Sequence, residues 1–372
     1  MLPEKKHLAS WLIILSVTLL LTACRGKIPI PHAEIAFHHA PVHYQDTDDT
    51  RPEADYLTRF DYDGDWDALN NWENLENGDL SGAVYFSVVE SCTHWFIVYG
   101  FFHPQDWTDT IEQEHENDME GLLAIVRKDG SDFGTLEGMV TVFHNDFYSF
   151  TPENSPLTEG KQDIDGEISW QPVTLVPHPM TSQEAEGHGL KAWPFAGNFK
   201  GKRNEDGVIY FPSKTHSETP DSGNDDFVPY QLIDLFAPDG FWERQLAEAC
   251  LARSDALTFA MWGTLKGDPE GDGAPGSCGA GPSLCKSDAA HLPWAWDDHN
   301  DGPIQPGEMA LDPASLVAHY FDGLGEFSSE YIRNPYLESL QERGFDSDNL
   351  PRGWPKGLDL DGLFEKVGEG CE

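Results

Sequence analysis

The chain has 372 residues, of which 65 are Asp or Glu and only 23 Lys or Arg, for a formal net charge of −42. Nothing in so acidic a chain can neutralise a phosphate backbone, which excludes a nucleic-acid binder. A hydrophobic content of 39% with 12 Trp supports a loop-rich globular core and excludes collagen-like, coiled-coil and multi-span membrane classes.

The N-terminus reads as a targeting segment. Lys5 and Lys6 precede an uncharged run from Leu8 to Ala23, closed by Leu21-Thr22-Ala23-Cys24. The run is short for a membrane span, and a small residue directly before Cys24 resembles the lipobox of bacterial lipoproteins. That resemblance implies removal of the signal peptide 1–23 and acylation of Cys24. Arg25, standing where Asp would retain the protein at the inner membrane, implies an outer-membrane lipoprotein of the bacterial envelope. The membrane partner is then held by the lipid anchor, since an acidic body repels anionic headgroups.

Apart from Cys24 there are five cysteines, an odd number, so at least one is free or pairs between chains. Cys278 and Cys285 flank a Gly-rich loop and are the expected disulfide in an oxidising compartment.

Residues 24–50, with Ile28-Pro29-Ile30-Pro31, His38-His39 and Asp48-Asp49, read as a polar tether. An antiparallel β-sandwich domain is expected over 51–240, making the protein mainly β. Val-, Ile-, Phe- and Tyr-rich runs bounded by Gly, Asp and Asn predict strands at 83–89, 95–102, 121–126 and 138–143, with weaker ones at 174–177, 208–211 and 230–235. Beyond 240 the texture becomes a helical, loop-rich C-terminal region, 241–372. Helices are predicted over 241–256, over 314–321 behind the Asp312-Pro313 start signal, and over 328–343.

The densest chemistry lies in Tyr99-Gly-Phe-Phe-His-Pro-Gln-Asp106 and His115-Glu-Asn-Asp-Met-Glu120. If a strand starts near Asp118, alternation puts Asp118 and Glu120 on one face. A turn at 115–117 would fold His115 beside them, and Asp106 at the end of the preceding strand adds a third carboxylate. Carboxylates this close repel unless a cation sits among them, and a hard divalent ion (Mg²⁺, Ca²⁺ or Mn²⁺) suits the donor set.

This stretch resembles the signature of the necrosis-inducing proteins, cytolysin-like proteins of plant pathogens. Their pattern is Tyr-x-x-Tyr/Phe-x-Pro-Lys-Asp followed by Gly-His-Arg-His-Asp-Trp-Glu. Tyr99, Phe102, Pro104 and Asp106 fit the first half; His115, Asp118 and Glu120 fit the second. The resemblance implies a lectin-like β-sandwich, a divalent cation held by Asp106, His115, Asp118 and Glu120, and a glycan or glycolipid partner. Glu114, Glu116, Asn117 and Met119 depart from the pattern, and the last 130 or so residues have no counterpart in it.

His144, at a strand end, and His188, between two glycines, are candidate site histidines. Asp297, Asp301 and Glu308 have the spacing of a calcium-binding loop and form a second candidate cation site. No nucleophile elbow, P-loop or dinucleotide fingerprint is present. The reading is therefore a lipid-anchored envelope protein with a metal-containing, glycan-binding sandwich. The alternative is a metal-dependent hydrolase using His115, Asp118 and Glu120, with His144 or His188 as general base.

Overall fold

The runs at 83–89, 95–102, 121–126, 138–143, 208–211 and 230–235 become strands, whereas the one expected at 174–177 is cut by a turn at Thr174-Leu175. The computed structural model describes residues 29–106, 115–197, 199, 206–249, 251, 256–267, 288–300, 305–354 and 357–368. The strands are β1 (Val42–Gln45), β2 (Ala83–Ser91), β3 (His94–Asp106), β4 (His115–Arg127), β5 (Thr135–Phe143) and β6 (Asp146–Thr151). There follow β7 (Thr158–Glu159), β8 (Gly166–Glu167), β9 (Trp170–Val173), β10 (Val176–Gln183), β11 (Leu190–Ala192), β12 (Gly207–Pro212) and β13 (Asn224–Asp234). The C-terminal half adds β14 (Phe259–Met261), β15 (Thr264–Lys266), β16 (Asp288–His291), β17 (Phe321–Asp322) and β18 (Tyr331–Arg333). Helices are α1 (His32–His39), α2 (Phe241–Ala249), α3 (Glu308–Leu311), α4 (Pro313–Tyr320), α5 (Pro335–Glu342) and α6 (Leu360–Phe364).

One 13-stranded sheet dominates, in the order β11-β10-β1-β12-β13-β2-β3-β4-β5-β6-β8, with β9 on β10 and β18 on β2. It curls until β11 packs back on β4 and β5, so a single sheet encloses its own core. The protein is mainly β, as expected, but the sheet is mixed and not purely antiparallel. β1 pairs β10, β12 pairs β13, and β13 pairs β2 in parallel. The segment 213–223 joins β12 to β13, a parallel pair that needs a crossover and not a tight turn.

The segment expected to be a tether is built into the fold from residue 29 on. Its apolar residues Ile35 and Ala36 are buried in α1, and β1 lies inside the sheet between β10 and β12. Buried tyrosines pin it there: Tyr99 donates to Ala36 O at 2.6 Å and Tyr230 to Pro41 O at 2.7 Å.

The C-terminal region shares the core of the sandwich. Phe241 of α2 packs against Phe60 and Tyr85, and a single hydrophobic cluster runs from Ile35 to Leu360. α4 starts at Pro313 as its signal predicts, whereas the helix expected over 328–343 is only α5. Tyr331–Arg333 pairs with β2 instead, and Asn334 opens α5 by accepting from Leu337 N at 3.2 Å. α2 is described over Phe241–Ala249 and Leu251 already lies outside it, short of the expected 256. Cys92 is disulfide-bonded, a bridge the sequence reading did not name. Cys24, Cys278, Cys285 and Asp301 lie outside the described residues. Among the described residues no helix is long and apolar enough to cross a membrane.

Strand directions separate two ends of the sheet. The end of β3, the start of β4 and the end of β10 meet at one: His103 Nε2 lies 3.0 Å from Gln183 Oε1. α1 lies across the other, with His32 2.7 Å from Glu90 at the end of β2, His39 2.8 Å from Phe133 O, and Ala40 O 2.7 Å from His178.

Candidate functional site

The first end carries the motif. Asp106 and His115 are directly opposed in the β3–β4 ladder, and His103 faces Asp118. No turn forms at 115–117. Asn117 instead adopts φ +63° inside the strand, which breaks the alternation by one step and brings His115 to the side of Asp118 and Glu120. The unusual backbone is fixed by its side chain: Asn117 Nδ2 donates to Ala68 O at 2.7 Å and to Lys266 O at 3.0 Å. Glu116, the neighbouring departure from the family pattern, accepts from Trp72 N at 2.8 Å.

Asp106, His115, Asp118, Glu120 and His144 all line one cleft of ≈ 630 Å³. Its opposite wall comes from the C-terminal region, chiefly Trp262, Trp294, Trp296, His291, Asp297 and His299. Trp296 is tied to the motif strand, its Nε1 donating to His291 O at 2.7 Å and Met119 O at 3.3 Å. Among the described residues no Lys or Arg lines the cleft.

Within the cleft the carboxylates differ sharply. Burial, and then the charges of Asp118 and Asp106, push Glu120 well above the usual carboxylate range. Burial would raise Asp118 too, but the His188 hydrogen bond and charge hold it at about 2. His188 Nδ1 sits 2.9 Å from Asp118 Oδ2 and its Nε2 3.0 Å from Asp55 Oδ1. Burial opposes its charge; the two carboxylates prevail and raise it to about 10. His188 is thus a buried cation, and the role of general base does not suit it. His103 stacks on it with centroids 3.8 Å apart and planes 4° apart, and burial followed by the His188 charge keeps His103 neutral.

His144, at φ +60°, stands at the lip with Nε2 2.9 Å from Glu184 Oε1. Burial lowers its pKa, but the hydrogen bond and charge of Glu184 outweigh that and raise it. Of the six non-glycine residues with positive φ among the described residues, four (Asn117, His144, Glu186 and His188) gather here. Such a concentration of unusual backbone is typical of functional sites.

Some of the motif's donors are left unsatisfied. Among the described residues Glu120 Oε2 and His115 Nδ1 are buried with no hydrogen-bond partner, and His115 Nε2 lies 3.7 Å from Asp106 Oδ2. Unpaired buried acceptors among mutually repelling carboxylates are what a cation satisfies. Among the described residues, however, no three His, Cys, Asp or Glu side chains already form a group that could hold a metal. Asp118 is turned toward His188 and not offered whole to the cleft.

The two described ends of the second acidic cluster line different pockets. Asp297 lines the main cleft, whereas Glu308 lines a separate pocket of ≈ 140 Å³ with Asp312 and Leu363. Asp298 accepts from Phe147 N at 3.2 Å and from Tyr320 Oη at 2.5 Å, a structural role. Sequence reasoning missed Asp55, His103, Glu184 and the tryptophan wall. Trp294-Ala-Trp296-Asp297 was the only local cue, an aromatic pair running straight into a carboxylate.

No protein-family model and no curated protein matches the sequence. Solved structures of the family that the 99–126 motif resembles are remotely similar to it. Necrosis and Ethylene inducing Protein 2, from the causal agent of cocoa's Witches Broom disease, is 13% identical over 46% of this chain and 74% of its own, with a TM-score of 0.27. The non-toxic HaNLP3 protein is 14% identical over 46% of this chain and 74% of its own, at TM-score 0.26. NLPPya in complex with glucosamine is 13% identical over 31% of this chain and 46% of its own, at TM-score 0.20.

Proposed function

We propose that this is a lipid-anchored envelope protein whose cleft binds a carbohydrate with the help of a divalent cation. One observation carries the reading: a single cleft sets Asp106, Asp118, Glu120 and Asp297 against Trp262, Trp294 and Trp296. Sugar rings need both surfaces, an indole face for their C–H side and charged acceptors for their hydroxyls. Asp106, His115 and Glu120 would hold the cation, which supplies an electropositive centre for hydroxyl oxygens and neutralises the carboxylates.

The test uses the chain without residues 1–23 and with Cys24→Ser, screened on a glycan array and titrated calorimetrically against the hits. Binding should require the cation, and Trp296→Ala should weaken it about tenfold or more. A protein that binds no glycan in any cation, or one indifferent to Trp296→Ala, overturns the reading.

The metal-dependent hydrolase is the second reading, and the His144–Glu184 pair favours it by placing a titratable imidazole at the lip. Incubating a bound glycan with the protein and looking for cleavage that His144→Gln abolishes separates the two.

A further inference from the structure

The Trp170–Val176 tip of the β9–β10 hairpin belongs to neither the core cluster nor the cleft. β9 pairs with β10 alone, and at the turn Thr174 has φ +58° while Leu175 is 95% exposed. Trp170, at the base of the same hairpin, is 40% exposed. The composition here is also unlike the rest of the chain. From Ile168 to Gln183 there is no Asp, Glu, Lys or Arg, in a chain that is 24% charged, and Glu167 and Glu184 resume the acidic pattern on either side. A leucine held in water at the tip of an uncharged hairpin marks a surface that meets something neutral and apolar.

Strand directions say where that surface lies. The hairpin continues β10 beyond its starting end, and His178 at its base bonds Ala40 at the end of α1. The other end of α1 lies against Glu90, at the end of β2. Pro29, where the described chain begins, is three residues ahead of α1, so the entry of the chain and the hairpin share one end of the sheet. The cleft is at the opposite end, the full length of β3 away, about 40 Å at ~3.3 Å per residue.

We infer that the Trp170–Val176 hairpin rests on the neutral bilayer that holds the N-terminus, seating Leu175 among the lipids and holding the cleft turned away from that membrane. The inference rests on the reading of Cys24 as acylated. Cys24 is five positions ahead of Pro29, a reach of at most about 18 Å, so an anchored body cannot stand clear of the headgroups. The hairpin is the charge-free part of the end pressed against them. Trp170 suits the headgroup level, where indoles gather. The occupant is zwitterionic lipid: an anionic leaflet repels a body of this charge, and a basic protein would be drawn to carboxylates, which the hairpin lacks. The cleft therefore takes its ligand from the space beyond the anchoring leaflet and not from that leaflet's own headgroups.

The experiment is hydrogen exchange read by mass spectrometry on the full chain purified from envelopes and reconstituted in phosphatidylcholine nanodiscs. Intact mass first reports the acyl groups; their absence overturns the anchor reading and the orientation built on it. With acylation established, peptides covering 168–179 should exchange about tenfold more slowly than in the unacylated Cys24→Ser chain at equal lipid, while β3–β4 cleft peptides stay unchanged. Leu175→Asp should abolish that slowing with acylation and disc association intact. An acylated, disc-bound chain whose hairpin exchanges as fast as the soluble form overturns the hairpin contact while leaving the anchor standing. Slowing that survives Leu175→Asp, or that follows protein density and not lipid, is contact between copies and overturns it as well.

Discussion

His188 backs Asp118 from inside the protein, its Nδ1 2.9 Å from the Asp118 carboxylate. The same ring reaches Asp55, so a buried imidazolium is shared between two carboxylates from segments far apart in sequence. This fixes the floor of the cleft before any ligand arrives. It also divides the motif's carboxylates: Asp118 is neutralised from behind, while Glu120 keeps an oxygen without a partner.

Replacing His188 should therefore be costly for the fold itself. His188→Gln leaves Asp118 and Asp55 buried without their counter-ion, a loss of about 3–5 kcal/mol. Urea unfolding of the two proteins measures it. A cost below about 1 kcal/mol would mean that the carboxylates find water or protons easily and that the pair is not buried as described.

The cation reading predicts a ligand-dependent stability. At a hundredfold excess over its dissociation constant a cation bound only to the folded state adds about 2.7 kcal/mol. Mg²⁺, Ca²⁺ or Mn²⁺ should thus raise the melting temperature over chelator in raised monovalent salt, which screens diffuse attraction. Glu120→Gln should remove most of that rise, and Asp106→Asn should reduce it. Asp118→Asn also disturbs His188, so its signature is a less stable apoprotein as well as a smaller response. Identical responses of wild type and Glu120→Gln would sink the motif as a metal site.

Much of the sheet was legible because β2 to β5 are continuous apolar runs with turn residues at their ends, and periodicity finds such strands. α1 and β1 were not, because His38-His39 and the prolines around them mimic a linker; only the tertiary contacts of Tyr99 and Tyr230 reveal that the segment is interior. In the cleft, the motif residues share one wall because Asn117 leaves the strand conformation, and one more polar residue in the run His115-Glu-Asn-Asp-Met-Glu120 carries no readable sign of that. Asp55, Glu184 and the Trp262–Trp296 wall come from segments that only folding brings together. Of the Asp297–Glu308 spacing, the two described ends line different pockets, and Asp301 lies outside the described residues.

Glu308 provides a pH signature apart from the main cleft. Burial first, then the charge of Asp312, raises it from 4.5 to about 7. A carboxyl whose folded pKa is raised stays protonated in the folded state after the unfolded chain has released its proton. Stability should therefore fall as pH rises from about 4.5 through about 7, by about 2–3 kcal/mol, and level off above. Glu308→Gln should flatten that slope and leave the variant more stable than wild type at pH 8. Parallel pH profiles for the two proteins would show that Glu308 is solvated.

The tryptophan wall stands or falls with Gly121. This residue faces Gly100 across the β3–β4 ladder, one position beyond Glu120. A Cβ there would lie 2.2 Å from Tyr99 O and 2.3 Å from Trp296 Cη2. The carbonyl belongs to the central ladder and cannot retreat without breaking register, so the indole must give way. Trp296 would then lose its bonds to Met119 and His291, which hold the C-terminal wall against the motif strand. Gly121→Ala should cost about 1–3 kcal/mol, the range for overpacking a filled interior, and should weaken ligand binding as well. Gly138→Ala, on the adjacent β5, is the matched control. Its Cβ would meet Leu157 Cδ1 at 3.1 Å, the end of a flexible side chain far from the cleft wall, and stability should change by less than about 1 kcal/mol with affinity intact. If the two variants prove equally stable and bind equally well, Trp296 does not pack on the motif strand, and the cleft lacks the wall on which sugar binding was argued.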